Sequence, residues 1–500
     1  MDFLSGLAIV LISIVTIVYG YFKYSFGYWK SRNIPHEEPS FPYGNIKGFG
    51  TTIHSSLCIK RIYDKFKPTG AIFCGAYFFA RPVAIILNLN FLKNILVKDF
   101  ANFNERGFFY NEEDDPISAH LFAMDGDKWK ELRAKLTPTF TSGKMKFMFP
   151  TVVEVGKRFK DCLIDVVKEN DELEIKELLA RFTTDVIGTC AFGIECNSLK
   201  DPNAEFRKYG REVFGKPRHS PLAGVFLGGF KGTARKLHIK NIRDDVSEFF
   251  MKVVRDTVDY REKNNVNRND FMDILIKLKN QKGNDKDKIT LNEIAAQAFV
   301  FFLAGFETSS TTLTFCLYEL AMNAEIQVKA RQVIQEAYEK HGKFIYEMML
   351  DMPYVDQVLQ ETLRKYPPLA NLNRYTKNTY KVPGTDDVIE KGTPIIIPAL
   401  SIQRDPEYYP DAEKFDPDRF NSEAVKQRDA MTWLPFGEGP RNCIGLRFGM
   451  MQARIGLVTI LNNFEVSFGP KSTVPLVIDA KSAFLSPEGG VYLKFKPIQS

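Results

Sequence analysis

One cysteine stands in the run Phe436-Gly437-Glu438-Gly439-Pro440-Arg441-Asn442-Cys443-Ile444-Gly445, with Arg441 two places and Phe436 seven places before it. Buried cysteines are usually inert small hydrophobes, but this one has a setting suited to chemistry. A helical pattern, Leu446 to Asn462, begins just after it. A thiolate at a helix N-terminus is favoured by free backbone N–H groups and by the helix dipole. Gly439 and Gly445 lack a side chain that would collide with a flat macrocycle. Phe436 can pack on such a ring and shield the sulfur, and Arg441 can turn its guanidinium to a propionate. The run therefore reads as a loop that holds the Cys443 thiolate against a haem iron. Such a ligand pushes electron density onto iron and favours O–O cleavage.

The segment resembles the haem-binding signature of cytochromes P-450, Phe-x-x-Gly-x-Arg-x-Cys-x-Gly, with every fixed position present. Three further matches occur in the family's order. Ala304-Gly305-Phe306-Glu307-Thr308 resembles the oxygen-activating motif of the family's central helix. The resemblance implies that small Ala304 and Gly305 leave room for dioxygen, that Thr308 donates a hydrogen bond there, and that Glu307 relays protons from water. The plain alternative is that these small residues only allow close helix packing. Glu361-Thr362-Leu363-Arg364, followed by Pro417-Asp418-Arg419-Phe420, matches the structural trio Glu361, Arg364 and Arg419; Asp418 stands where the family often has glutamate. Trp129-Lys130-Glu131-Leu132-Arg133 puts Trp129 and Arg133 on one helix face, and the resemblance sends both to a haem propionate, with Arg374 and Arg106 as further partners. Residues 136–146 and 361–368 narrow the resemblance to microsomal insect cytochromes P-450 of the detoxifying type.

The resemblance implies haem b as cofactor and O2 as co-substrate. No Gly-x-Gly-x-x-Gly run is placed to bind a dinucleotide. NADPH-derived electrons are then expected through NADPH–cytochrome P-450 reductase, with cytochrome b5 as an optional second donor. Lys128, Lys130, Lys135, Lys144 and Lys146 give that side a basic character onto which an acidic flavoprotein could dock; a solvated face is the plain alternative. Phe108, Phe109, Phe122, Val300, Phe301, Leu369, Ala370, Leu372 and Phe484, with Ala304 and Gly305, are the expected pocket lining. An apolar, aromatic-lined cavity suits lipophilic substrates: xenobiotics such as plant toxins and insecticides, or endogenous lipids and hormones. The expected reaction is insertion of one oxygen atom from O2. The rival readings are an electron-independent haem-thiolate isomerase and a non-catalytic membrane-bound binder of haem or lipid.

These residues need a scaffold. Hydrophobic residues make up 44% of the 500-residue chain and charged residues 26%, the balance of a globular protein, and 42 phenylalanines supply flat apolar surface. A net charge of +6 is small for this length and argues against nucleic acid. Seven cysteines, none in a Cys-x-x-Cys pair, fit a reducing compartment, and the six histidines show no zinc spacing. Phe3 to Phe22 carries no charge; Asp2 precedes it, and Lys23, Lys30 and Arg32 follow. The spacing predicts a membrane-spanning helix over residues 1–22 with the remainder cytosolic, and the resemblance implies the endoplasmic reticulum membrane. A cleaved signal would want a basic start and a small-residue cleavage site. Residues 23–50, basic and rich in Pro and Gly, read as a stiff hinge, and residues 51–500 as one haem-thiolate monooxygenase domain.

Within that domain, strands are expected near Ala71–Phe79 and Val83–Leu87. Helices are expected at Met148–Val167, Glu172–Phe192, Ile242–Tyr260, Phe271–Leu278, Leu291–Met322 and Glu325–His341. Residues 261–290 read as a charged connection, and Glu488–Leu493 as half of a hairpin. The apolar, Gly-rich stretch 221–230 reads either as a buried loop or as a second membrane contact. The sum is a mainly α body with small β-sheets in one domain; the resemblance implies the cytochrome P-450 fold, with haem between a long central helix and the Cys443 loop.

Overall fold

One helix, Leu291–Met322, organises the molecule. Thr290 starts it with a capping box: its hydroxyl accepts from the Glu293 N–H, and the Glu293 carboxylate accepts from the Thr290 N–H. The helix is apolar around most of its circumference, the pattern of a helix buried on all sides, and most side chains from Ile294 to Leu320 are buried. Against it pack Ile175–Ile187 and Leu446–Leu461. Gly456 shows how tightly: a Cβ there would lie 2.9 Å from both Leu313 and Phe182. The computed structural model describes residues 3–268, 270–281 and 288–498.

The expected elements are present with shifted ends. The central helix has the bounds read from sequence. Ser142–Glu169 starts earlier than expected, although Pro150 lies inside it. The expected helix Glu172–Phe192 is instead a strand, Glu172–Glu174, and then the helix Ile175–Ile187. Glu174 causes the break by capping the helix, accepting from the Lys176 and Glu177 N–H groups. The expected connection 261–290 holds the helix Phe271–Lys279, within one residue of the reading.

Three small sheets complete the body among the described residues. The largest runs Phe73–Phe78, Arg81–Ile86, Pro394–Ile397, Leu372–Tyr375, with Arg374 opposite Ile395. In the second, Tyr492–Pro497 pairs with both Glu172–Glu174 and Phe464–Phe468. The core lies around the central helix, and a second cluster lies under the largest sheet.

The N-terminal helix, Phe3–Ser25, buries none of its residues and is long and apolar enough to cross a membrane. The stretch after it, expected as a stiff hinge, is packed against the body. Trp29 is fully buried, its Nε1–H donates to the Ala76 carbonyl at 3.0 Å, and a Cβ on Gly75 would lie 2.4 Å from its ring. Asn45 ties the stretch further, donating to the Glu37 and Glu38 carbonyls. Much of 23–50 is therefore seated on the sheet, because its aromatic and amide side chains find partners there. Pro221–Gly229 is a helix capped by Ser220, not a buried loop, with Phe226 exposed on it and Phe230 exposed just after it.

Candidate active site

The Cys443 loop is closed by its own backbone, the Cys443 N–H donating to the Phe436 carbonyl at 2.8 Å. Two arginines brace it. Arg133 donates to the Asn442 carbonyl and to Asn442 Oδ1, both at 2.9 Å, and Arg106 donates to the Arg441 carbonyl at 2.9 Å. Enough protein surrounds the thiol that burial raises its pKa, against the Gly445 N–H, Arg133 and Arg106, which all pull it down. Its side chain is nevertheless accessible. A group that is deep and still accessible lines an internal space. Ala304 has the same character: it is accessible in the middle of the otherwise buried central helix. The Cys443 helix is joined to that part of the central helix by Gln452, whose Nε2 donates to the Gly305 carbonyl at 3.2 Å.

Cations gather at the rim. Arg374 and Arg441 are 2% and 1% exposed. Among the described residues, the Arg374 side chain donates to the neighbouring Asn373 carbonyl alone, and its Nε is buried without a partner. Arg441 reaches the Met124 carbonyl and lies 3.5 Å from Asp125, while its Nε and one terminal nitrogen have no partner. Burial and the neighbouring Arg106 press the Arg441 guanidinium down to about 9. Burial, Arg106 and Arg441 together push Arg374 well below its ordinary value. Buried cations that repel one another and keep free donors need an anion. The two carboxylates of a haem answer that need, and Cys443 offers the thiolate, so the residues fit the group.

Residues 35–495 match the cytochrome P-450 family model. The chain belongs to the cytochrome P-450 family. It is 48% identical to cytochrome P-450 6a9 of Drosophila melanogaster over 504 residues, covering 99% of this chain and 100% of that one. It is 45% identical to cytochrome P-450 6A1 of Musca domestica over 509 residues, covering 100% and 99%. A third relative, cytochrome P-450 6a2 of Drosophila melanogaster, is 47% identical over 501 residues, covering 98% and 99%. The chain is thus a cytochrome P-450 monooxygenase with a haem iron cofactor, similar over its whole length to insect members of the family.

This P-450 departs from the sequence reading at several positions. Gly305 does not open space for dioxygen: a Cβ there would lie 2.2 Å from Ile187, so its smallness serves helix packing. Gly439 has φ +73°, and a Cβ would lie 1.9 Å from the Leu96 carbonyl, so the backbone itself requires glycine there. Trp129 is buried under the Arg441 guanidinium, 4.3 Å from the ring centroid, and Arg133 spends its donors on Asn442. The Thr308 hydroxyl donates to the Ala304 carbonyl at 2.6 Å, and the Glu307 carboxylate is held by Lys176 at 3.0 Å.

The expected lining splits into two sets. Phe108 stacks on Phe122 at 5.1 Å, under Arg106. Leu372 shares a strand face with Arg374, since alternate residues point one way. Phe484 is half-buried against Phe214, and Leu369 is half-buried. The other set belongs to the core. Phe301 packs between Phe140 and Phe271, Phe109 is buried with Leu227 and Ala234, and Ala370 sits in a satellite cluster with Phe315 and Tyr366. Val300 is 9% exposed, at the margin of the core.

The structural trio is assembled. Arg364 grips both Glu361 oxygens at 2.7 and 2.8 Å, and Arg419 Nε lies 3.6 Å from Glu361. Sequence reasoning missed Asp125, His120 and Gln452. Asp125 accepts from the Arg106 N–H at 2.8 Å and pairs with Lys231. Burial, with Arg106 beside it, holds the His120 imidazole at about 4, neutral at physiological pH. Neither residue has a spacing signal, because both act across loops.

Proposed function

We propose that this P-450 takes NADPH-derived electrons from a reductase and inserts one atom of O2 into lipophilic small molecules, xenobiotics foremost. The helix Phe3–Ser25 anchors it in the endoplasmic reticulum membrane, with the catalytic body on the cytosolic side, as the flanking lysines and arginine imply. The observation that carries the reading is the pair of deep yet accessible side chains, Cys443 in the loop before Leu446–Leu461 and Ala304 on the central helix, the two helices being joined by Gln452.

Haem, when bound, supplies the oxygen-activating iron. Cys443 is its ligand, and Arg374 and Arg441 hold its carboxylates with the donors that are otherwise unanswered. Arg106 and Arg133 hold the loop that carries the thiolate. Thr308 holds a proton at Oγ1, resting on the Ala304 carbonyl, and Glu307 recharges it from water. Phe108, Phe122, Leu372 and Phe484 orient apolar substrate and exclude water. The reductase, with cytochrome b5 as an optional donor, meets a narrower basic face than the sequence implies. Lys128 and Lys146 are already paired with Glu112 and Glu347, while Lys130 and Lys144 have no ion pair among the described residues.

The test is reconstitution with a reductase and NADPH, measuring oxygen uptake and product from a panel of lipophilic compounds. Cys443→Ser should lose the thiolate-type carbon monoxide spectrum and all turnover. Thr308→Ala should keep the spectrum and waste reducing equivalents, by on the order of tenfold in product per NADPH. Retention of the thiolate spectrum by Cys443→Ser would end the ligand assignment.

A further inference from the structure

Every carbonyl of the central helix from Ala304 to Thr308 accepts a side-chain hydrogen bond. Three of the donors are hydroxyls of the helix itself: Thr308 to Ala304 at 2.6 Å, Ser310 to Glu307 at 3.1 Å and Thr312 to Thr308 at 2.8 Å. Such local bonds are ordinary for serine and threonine in helices. The other two donors come from distant parts of the chain. Gln452 Nε2 reaches the Gly305 carbonyl at 3.2 Å, and Thr183 Oγ1 reaches the Phe306 carbonyl at 2.9 Å. Both side chains are fully buried. Each lies one helical turn from a tight packing contact on its own helix. Thr183 precedes Ile187, which crowds Gly305, and Gln452 precedes Gly456, which is crowded by Leu313. The turn that carries the accessible Ala304 is thus pinned by two helices, and one of them begins at the Cys443 loop.

Stability does not explain Gln452. The central helix is unbroken at this turn, so the Gly305 carbonyl already has its ladder partner. Gln452 Oε1 is buried without a partner, a desolvation cost that leucine at the same place would avoid. Turning the amide over gives no relief, because it sets Oε1 against the Gly305 carbonyl, acceptor against acceptor. An amide that spends its donor on a satisfied carbonyl and leaves its own oxygen idle is suited to holding a position. We propose that Gln452 is a positioning residue that fixes the Ala304–Thr308 turn relative to the helix that follows the thiolate, with Thr183 as the second pin. The proposal rests on the monooxygenase reading, in which Thr308 holds a proton beside Ala304. The Thr308 hydroxyl is aimed by the Ala304 carbonyl, so any rocking of this turn moves the hydroxyl and its acceptor together. Small misplacements are costly where a proton has to be delivered to one point. Gln452 acts through the backbone alone, and no bond to it forms or breaks.

The test uses the full-length holoprotein as wild type, Gln452→Leu, Gln452→Glu and Thr183→Val. Gln452→Leu should keep the thiolate-type carbon monoxide spectrum and melt no lower than wild type. In the resting protein, amide hydrogen exchange over residues 304–310 should be about fivefold faster, the worth of one neutral hydrogen bond. With carbon monoxide as the probe of the space beside Ala304, the C–O stretching band should broaden. With reductase, NADPH and the compound of the panel that wild type oxidises fastest, product per NADPH should fall by about the same factor, while KM stays put. Thr183→Val, which keeps the shape and loses the donor, should act in the same direction. Gln452→Glu supplies a readout that a packing role would not move. Protonated, its O–H can donate to the Gly305 carbonyl; ionised, it repels that carbonyl. Burial raises a carboxyl pKa, so product per NADPH relative to wild type should be near one at low pH. It should sink to the Gln452→Leu level as pH rises, and Gln452→Leu itself should show no such step. Should Gln452→Leu fail to fold, the Gln452→Glu series decides alone. Unchanged exchange and coupling in Gln452→Leu, or a Gln452→Glu ratio that does not move with pH, overturns the proposal. Wild-type turnover separates the failures: no NADPH-driven product removes the monooxygenase reading and this proposal with it. Normal wild-type turnover with an inert Gln452→Leu removes the pin alone.

Discussion

Arg364 and Arg441 are buried to the same degree, 0% and 1% exposed, in opposite surroundings. Arg364 is answered on every side. Its Nε and one terminal nitrogen grip Glu361, and the terminal nitrogens also donate to the Gln403 and Ala412 carbonyls. Burial raises the Glu361 carboxyl above its ordinary range, while Arg364, the Asp416 N–H and Arg419 pull it back. Arg441 lies near Arg106, Arg133 and Arg374, with Asp125 as its ion-pair partner and two nitrogens idle among the described residues. A protein does not bury guanidinium groups without partners for stability, since an unpaired buried charge is destabilising. The first cluster is therefore complete in the polypeptide. The second is complete only with a ligand that carries negative charge.

The sharpest way to break this contrast is to remove the acid from the complete cluster. Glu361→Ala should cost about 3–5 kcal/mol, because it strands Arg364 in the core. Chemical denaturation would show it, or failure to accumulate folded protein. A stable Glu361→Ala would mean that the trio is incidental. The incomplete cluster should respond the other way. Arg374→Met removes a cation that has no carboxylate partner, so the haem-free protein should melt at the same temperature or higher. The haem-loaded protein should lose haem about tenfold faster, for want of one charge-assisted hydrogen bond. Haem transfer to a scavenger protein measures that loss, and a drop in haem-free melting temperature would make Arg374 merely structural. The smallest effect is expected at the surface beside the complete cluster. Asp418 pairs with Lys329 where both side chains are more than half exposed. Asp418→Ala should change stability by no more than about 0.5 kcal/mol, and thermal melting is sufficient to check it.

The same contrast explains what was legible from residue order. Glu361 and Arg364 are three apart on one helix, so their pairing follows from helical geometry. The central helix carries its capping box and its apolar circumference in consecutive residues, and its bounds came out as read. Local signals failed where a distant chain segment decides. Gly305 sits in a motif that suggests room for oxygen, yet Ile187, from another helix, fills the space beside it. Phe301 and Phe484 read alike as pocket residues, and both are half-buried, but Phe140 and Phe271 hold the first ring against the core while the second meets Phe214. The stretch 23–50 read as a stiff hinge because its contacts, Ala76 and Tyr77, lie beyond it in the strand Phe73–Phe78.

The sequence by itself determined the family, the thiolate ligand expected at Cys443, the central helix and the membrane-length segment. Each of these is written in neighbouring residues, where spacing along one helix or loop is the whole message. Only the tertiary structure decided that Asp125 sits among the arginines, that Gln452 joins the two helices of the site, and that Lys176 holds Glu307. Those contacts join residues far apart in the chain. A charge or amide at a loop end has no preferred partner until packing brings one within 3 Å or so, where a hydrogen bond forms.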